Sequence, residues 1–255
     1  MIEPFQPTIL RFDSIDSTNL EAMRRAKAGA PEGLCIVARE QTHGRGRQGR
    51  NWLSARDCGL YFTTVLRPQI ETGLWPLITL MSALAVADTL KETSGLSVDI
   101  KWPNDLIVNQ RKLSGILCET VDTDAGYAVV VGIGINLYHD SMPTQLTGTA
   151  TSVEQETGSE PHFEVILNEL VNAIARRYAV LETEKGNEQT IREWCARSSY
   201  AKGKRVRVES GAEIFTGVTD GLEDDGGLRV VLESGQLRVV RAGDVQSIRE
   251  NDNSE

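Results

Sequence analysis

Between two apolar runs of strand length, Leu34 to Ala38 and Leu60 to Leu66, lies the segment Gln41-Thr42-His43-Gly44-Arg45-Gly46-Arg47-Gln48-Gly49-Arg50-Asn51-Trp52. Three glycines free the backbone for unusual dihedrals and close approach to another group, while three arginines cannot enter a core unpaired. From Gln41 to Arg56 there are four arginines and no acid, in a chain whose net charge is −9. So local a concentration of cations reads as an anion cradle, whereas general polyanion binding needs a broad basic face. A flexible Gly/Arg arm that binds RNA is the alternative; the shortness of the segment and its flanking strands favour an ordered loop.

The rest of the chain supplies a scaffold. Thr8 to Phe12 reads as a strand, Leu20 to Ala26 as a helix, and Leu74 to Glu92 as a long buried helix closed by Gly95. Ser17, Thr18 and Asn19 precede the first helix; one of them suffices as a cap, and the others are free for a polar ligand. In Ile100 to Glu119 the pattern gives a strand to Trp102, a turn at Pro103-Asn104-Asp105, a short strand, a tight turn at Asn109-Gln110, and a strand that opens with Lys112. A partly buried Lys112 near arginines requires an anion between them. Tyr127 to Asn136 is a continuous apolar strand in which Gly132 and Gly134 imply that a flat ligand or a neighbouring backbone lies over it. The polar stretch 138–150 is a candidate lid, and Phe163 to Leu181 and Glu188 to Arg197 are helices. From Gly203 onward five short runs separated by Gly-containing turns describe a small β-barrel, near the lower limit for independent folding and so expected to lean on the first domain.

Four dispersed cysteines give neither a zinc pattern nor a disulfide framework. With no signal peptide and no apolar run of membrane length, the expectation is a cytoplasmic protein with no membrane partner.

Ser17-Thr18-Asn19, Gln41 with Gly44 to Arg50 and Trp52, Lys101-Trp102-Pro103-Asn104-Asp105, Arg111 to Leu117 and Gly132 to Asn136 occur in the order and approximate spacing of the biotin–protein ligases. The sequence resembles that family from residue 17 to 136, and the C-terminal run resembles its SH3-like appendage. The resemblance implies an α+β fold: a mixed-sheet catalytic domain like that of class II aminoacyl-tRNA synthetases over 1–200, an SH3-like β-barrel over 201–250, and a tail over 251–255.

It also implies chemistry. Biotin and ATP, with Mg²⁺, would give biotinyl-5′-AMP and pyrophosphate, and a lysine of the biotin carboxyl carrier protein of acetyl-CoA carboxylase would take the biotin. By that likeness Arg45 and Arg47 clamp the phosphoryl group, Lys112 reaches the carboxylate and α-phosphate, and Asp105 orients the acceptor amine or the metal. Ser17, Thr18, Asn19 and Gln41 meet the ureido ring, Asn136 faces the adenine, and Gly44, Gly46, Trp52 and Gly115 complete the binding surface. No dedicated protein metal site is implied, and the likeness leaves a homodimer open. Sixteen residues before Ser17 cannot hold a helix-turn-helix, so DNA is not an expected partner. A lipoate–protein ligase, with related chemistry, and a noncatalytic binding module are the rival readings.

Overall fold

The computed structural model describes residues 7–138 and 148–248. Seven strands form one sheet: β1 (Thr8–Phe12), β2 (Leu34–Ala38), β3 (Gly59–Leu66), β4 (Asp99–Lys101), β5 (Asp105–Val108), β6 (Arg111–Thr123) and β7 (Gly126–Asn136). Their spatial order is β1-β2-β3-β7-β6-β5-β4, with β1 and β2 parallel and every other neighbouring pair antiparallel. Every residue of β3 is buried, as expected of a strand apolar on both faces.

Two layers of helix cover those faces. α1 (Thr18–Lys27) packs Ala22 and Ala26 against Leu34, Ile36, Val65 and Val130. On the other face lie α2 (Pro76–Ser94), α4 (Phe163–Leu181) and α5 (Gly186–Arg197). α2 begins with proline in its first turn and stops at Gly95 in the left-handed region (φ 65°), where glycine carries no Cβ penalty. It is apolar nearly all round because it is enclosed by the sheet and α4; Leu84→Ala there would cost about 2–5 kcal/mol. A short helix, α3 (Val153–Thr157), has too few residues to show a period in the sequence.

The C-terminal strands β8 (Lys202–Ser210), β9 (Glu213–Leu222), β10 (Leu228–Val231), β11 (Leu237–Val240) and β12 (Asp244–Ser247) form an antiparallel sheet in the order β11-β10-β9-β8-β12. All five expected strands are present. No β11–β12 ladder joins the ends among the described residues, so strand pairing does not close the sheet. Its buried Val206, Val208, Leu228, Val230, Val240 and Val245 belong to the same apolar cluster as α2 and α4. The Trp102 indole donates to the Gly226 carbonyl across the junction, 3.0 Å away. The small sheet therefore leans on the large one, as its size required.

Among the described residues no helix is long and apolar enough to cross a membrane. Most of the candidate lid, 139–147, and the tail 251–255 lie outside the described residues.

Candidate functional site

The Gly/Arg segment is an ordered hairpin. Gly46 N–H donates to the Arg50 carbonyl at 2.7 Å and Trp52 N–H to the Gly44 carbonyl at 2.9 Å, with the turn taken by Gln48 and Gly49 at positive φ. A Cβ at Gly44 would stand 2.2 Å from the Trp52 carbonyl oxygen, so glycine is a steric requirement there. The hairpin swings Trp52 over the sheet, where an added Cβ at Gly134 would meet its indole at 2.4 Å and one at Gly115 at 3.0 Å. Asn19 occupies the space over Gly132, 2.1 Å from where a Cβ would be. The expected cover over the glycines is thus two side chains of this chain, not a ligand or another backbone. The Trp52 Nε1–H is buried without an acceptor among the described residues.

Beneath the hairpin lies a cavity of about 130 Å³, lined among others by Ser17, Thr18, Asn19, Gln41, Arg45, Gly46, Arg47, Trp52, Asp105, Lys112 and Gly115. Of the residues singled out in the sequence, Gly44 and Asn136 do not line it. Asn136 instead donates its amide to the carbonyls of Thr151 (3.0 Å) and Lys112 (3.4 Å). A wider cleft of about 530 Å³ adjoins the cavity, shares Asp105 and Lys112 with it, and runs past Lys101 and Tyr200 to Gln246 and Ser247 of β12.

One end of the cavity is neutral and densely cross-bonded. α1 starts at Thr18, and its N-cap Ser17 makes no side-chain capping bond. The cap comes from 23 residues away, because Gln41 Oε1 accepts from the Thr18 N–H at 2.8 Å; none of the three local candidates does that work with its side chain. Gln41 Nε2 donates to Ser54 Oγ at 2.7 Å. Asn19 Nδ2 donates to the Leu117 carbonyl at 3.2 Å and to Glu119 Oε2 at 3.0 Å. Thr63 Oγ1 lies 2.8 Å from Thr18 Oγ1 and 2.7 Å from Asn19 Oδ1, and Thr18 Oγ1 lies 3.0 Å from Gln41 Oε1.

The other end is ionic, and its cations have acidic partners. Lys112 Nζ sits 2.6 Å from Asp105 Oδ1, and 5.4 Å from the centre of the Trp52 ring, close enough for a cation–π attraction. The anion that a half-buried lysine needs is therefore Asp105. Arg45 closes both terminal nitrogens on Glu119, at 3.0 and 3.3 Å. Arg47 donates to Asn104 Oδ1 at 3.1 Å and to the Gly243 carbonyl at 3.3 Å, with the Asp244 carboxylate 3.8 Å away. Burial lowers the Arg47 pKa from its ordinary value, opposed by the charges of Asp244 and Asp105. An arginine starts so high that it remains a cation. Burial likewise lowers Lys101, which pairs across β4 and β5 with Asp105.

Glu119, Thr63, Ser54 and Asp244 were not singled out in the sequence. For Glu119 a signal existed: it follows Gly115 and Leu117 at the two-residue period of one strand face, so a carboxylate was aimed at the same side as a glycine that makes room for something.

The model of the Biotin/lipoate A/B protein ligase family matches residues 11–136, and that of the Biotin protein ligase C terminal domain matches 203–246. The Bacillus spizizenii protein named Bifunctional ligase/repressor BirA is 34% identical over 237 residues, 90% of this chain and 71% of that protein. The chain belongs to the biotin/lipoate A/B protein ligase family. The Paracoccus denitrificans biotin–[acetyl-CoA-carboxylase] ligase is 36% identical over 219 residues, 84% of this chain and 90% of that one. The solved Aquifex aeolicus biotin protein ligase in complex with biotin and ATP superposes with a TM-score of 0.82 at 28% identity, covering 96% of this chain and all of that one. The biotin protein ligase fold, a mixed sheet with helices followed by a small antiparallel sheet, is therefore the fold of this chain.

Proposed function

We propose that the protein joins biotin to ATP as biotinyl-5′-AMP and then passes the biotin to a lysine of the biotin carboxyl carrier protein of acetyl-CoA carboxylase. The observation that carries the choice of biotin is a shortage of hydrogen at the neutral end. Thr18 and Thr63 have two hydroxyl hydrogens for the three oxygen–oxygen contacts they make there. Asn19 cannot supply the missing one, because both its N–H groups are spent on Leu117 and Glu119. Whichever way the hydroxyls turn, one of these contacts lacks a hydrogen, and Asn19 Oδ1, with two lone pairs, keeps room to accept a ligand N–H. The ureido ring brings two N–H groups, while the dithiolane of lipoate brings none.

In the first step a biotin carboxylate oxygen attacks the α-phosphorus and pyrophosphate leaves. Both reactants are anions, so fixed cations must offset their repulsion and the charge that gathers on the phosphoryl oxygens. Arg47 and Lys112 take that role. Arg45 could join them only by releasing Glu119. Mg²⁺, a hard cation that takes oxygen ligands, would supply further charge neutralisation on the triphosphate. Among the described residues no cluster of three or more His, Cys, Asp or Glu forms a metal site, and Asp105 is the carboxylate the cavity itself can offer. In the second step the acceptor amine attacks the anhydride carbonyl and AMP leaves. Asp105, lining both the cavity and the wider cleft, is placed to orient that amine.

The same proposal assigns residues 1–200 to a class II synthetase-like catalytic domain and 201–250 to an SH3-like one. The break between α5 and β8 at 198–201 supports that division. It also puts the protein in the cytoplasm, in keeping with its four free cysteines, and leaves a homodimer as an option.

Pyrophosphate release with biotin or lipoate plus ATP, followed by transfer to a carrier domain, tests the proposal. Biotin is expected to exceed lipoate by at least about a hundredfold, since a site built around hydrogen bonds rejects a ligand that cannot make them. Equal turnover of the two acids, or release without transfer, would overturn it.

A further inference from the structure

Glu119 occupies a position that joins the two ends of the cavity. Its Oε2 accepts from Asn19 Nδ2, and the whole carboxylate faces the guanidinium of Arg45. The Asn19 amide therefore cannot turn over. Flipping it would put Oδ1 against two acceptors, the Leu117 carbonyl and Glu119, and Nδ2 in the tight space over Gly132. Held as it is, Asn19 can offer the cavity only an oxygen. The Arg45 fork, meanwhile, is fully engaged with a carboxylate that β6 holds in place, which pins the hairpin carrying Arg47 and Trp52.

We propose that Glu119 is a specificity-determining positioning residue: it fixes Asn19 as an acceptor for a ureido N–H and, through Arg45, holds the arginine hairpin over the same cavity. Arg45 on this view is the bolt of the hairpin, and Arg47 with Lys112 meets the phosphoryl group. The inference rests on the assignment of biotin and ATP as substrates and deepens it. Loss of both ties at once is then felt at both ends of the cavity, while loss of the charge alone is felt at the ionic end.

Two substitutions separate the two ties. Glu119→Gln keeps an oxygen for Asn19 to donate to but removes the charge that holds Arg45. Glu119→Met has a similar length and removes both. Biotin binding without nucleotide, measured by calorimetry, is expected to stay within about twofold of the parent in Glu119→Gln and to weaken about tenfold or more in Glu119→Met. Release of preformed biotinyl-5′-AMP is expected to quicken about fivefold or more in both. Arg45→Gln should reproduce that faster release without changing biotin binding more than twofold, and combining it with Glu119→Gln should add nothing further.

Thermal melts identify a variant that has merely lost its fold; if Glu119→Met is one, Glu119→Gln and its combination with Arg45→Gln still decide the bolt, and Glu119→Ala replaces it in the test of the tie to Asn19. Additive effects of Glu119→Gln and Arg45→Gln on release would overturn the bolt, and unaltered biotin affinity in a folded Glu119→Met would overturn the role toward Asn19. Failure of the parent protein to make adenylate from biotin would instead strike the assignment of substrates. The two failures are thereby told apart.

Discussion

The two ends of one cavity are built on opposite terms. Around Asn19, Thr18, Thr63 and Gln41 no formal charge is needed: buried hydroxyls and amides bond mainly to one another, and a ligand has only to complete the set. Around Lys112, Arg45 and Arg47 each cation is held with a carboxylate close by, so an incoming phosphate must compete with Asp105, Glu119 or Asp244. A neutral lattice short of one hydrogen discriminates among ligands, because a wrong ligand leaves buried polar atoms unsatisfied. A set of paired ions discriminates little, yet it keeps cations near the reaction without the penalty of burying them alone.

The largest effect should come from the ionic end. Lys112→Met is expected to slow adenylate formation about a hundredfold or more while changing biotin binding by less than about threefold. A rapid-quench assay reads the first quantity and calorimetry the second; if affinity fell as far as the rate, the division between the ends would be lost. Next is Gly134→Val. Its Cβ has no room beside the Trp52 indole, and overpacking of this kind costs about 1–3 kcal/mol. Quenched tryptophan fluorescence changes and a lower melting temperature should accompany weaker ligand binding.

Arg47→Lys keeps the charge and loses the planar fork. Adenylate release should rise about tenfold, and a lysine that retained the adenylate normally would show that charge alone is enough. Arg47→Gly should leak it still faster. The smallest effect is one of salt. Raising ionic strength from about 0.05 to 0.5 M shortens the screening length to a few ångströms; the KM for ATP should rise a few-fold, while biotin affinity moves less than twofold. Equal salt dependence of both constants would erase the contrast between neutral and charged ends.

Much of this site could be read from the chain. The arginine hairpin announces itself by composition, Lys112 by its place at the start of an apolar strand, and Gly132 and Gly134 by being glycines where β-branched residues would serve better. Ser17, Thr18 and Asn19 are legible as a surplus of polar side chains before a helix. What escaped reading depends on register between distant strands. Glu119 meets Asn19 across 100 positions and Thr63 meets it across 44, and no local pattern records either pairing. The role of Asn136 toward the adenine comes from family likeness alone, and the bonds of its amide to the Thr151 and Lys112 carbonyls depend on register that the chain does not display. The cap of α1 was misassigned for a related reason, since Gln41 reaches it only once β2 lies beside β1.

The Gly243 carbonyl bonds Arg47, and valines of the small sheet complete the apolar cluster under α2. Exchanging that C-terminal module for one from another ligase would therefore amount to re-machining the active centre. A chimera should regain turnover only when the donor segment brings an oxygen to the place of Gly243 and side chains that mesh with the recipient's interior; swapping modules by sequence boundary alone should yield a folded but sluggish hybrid.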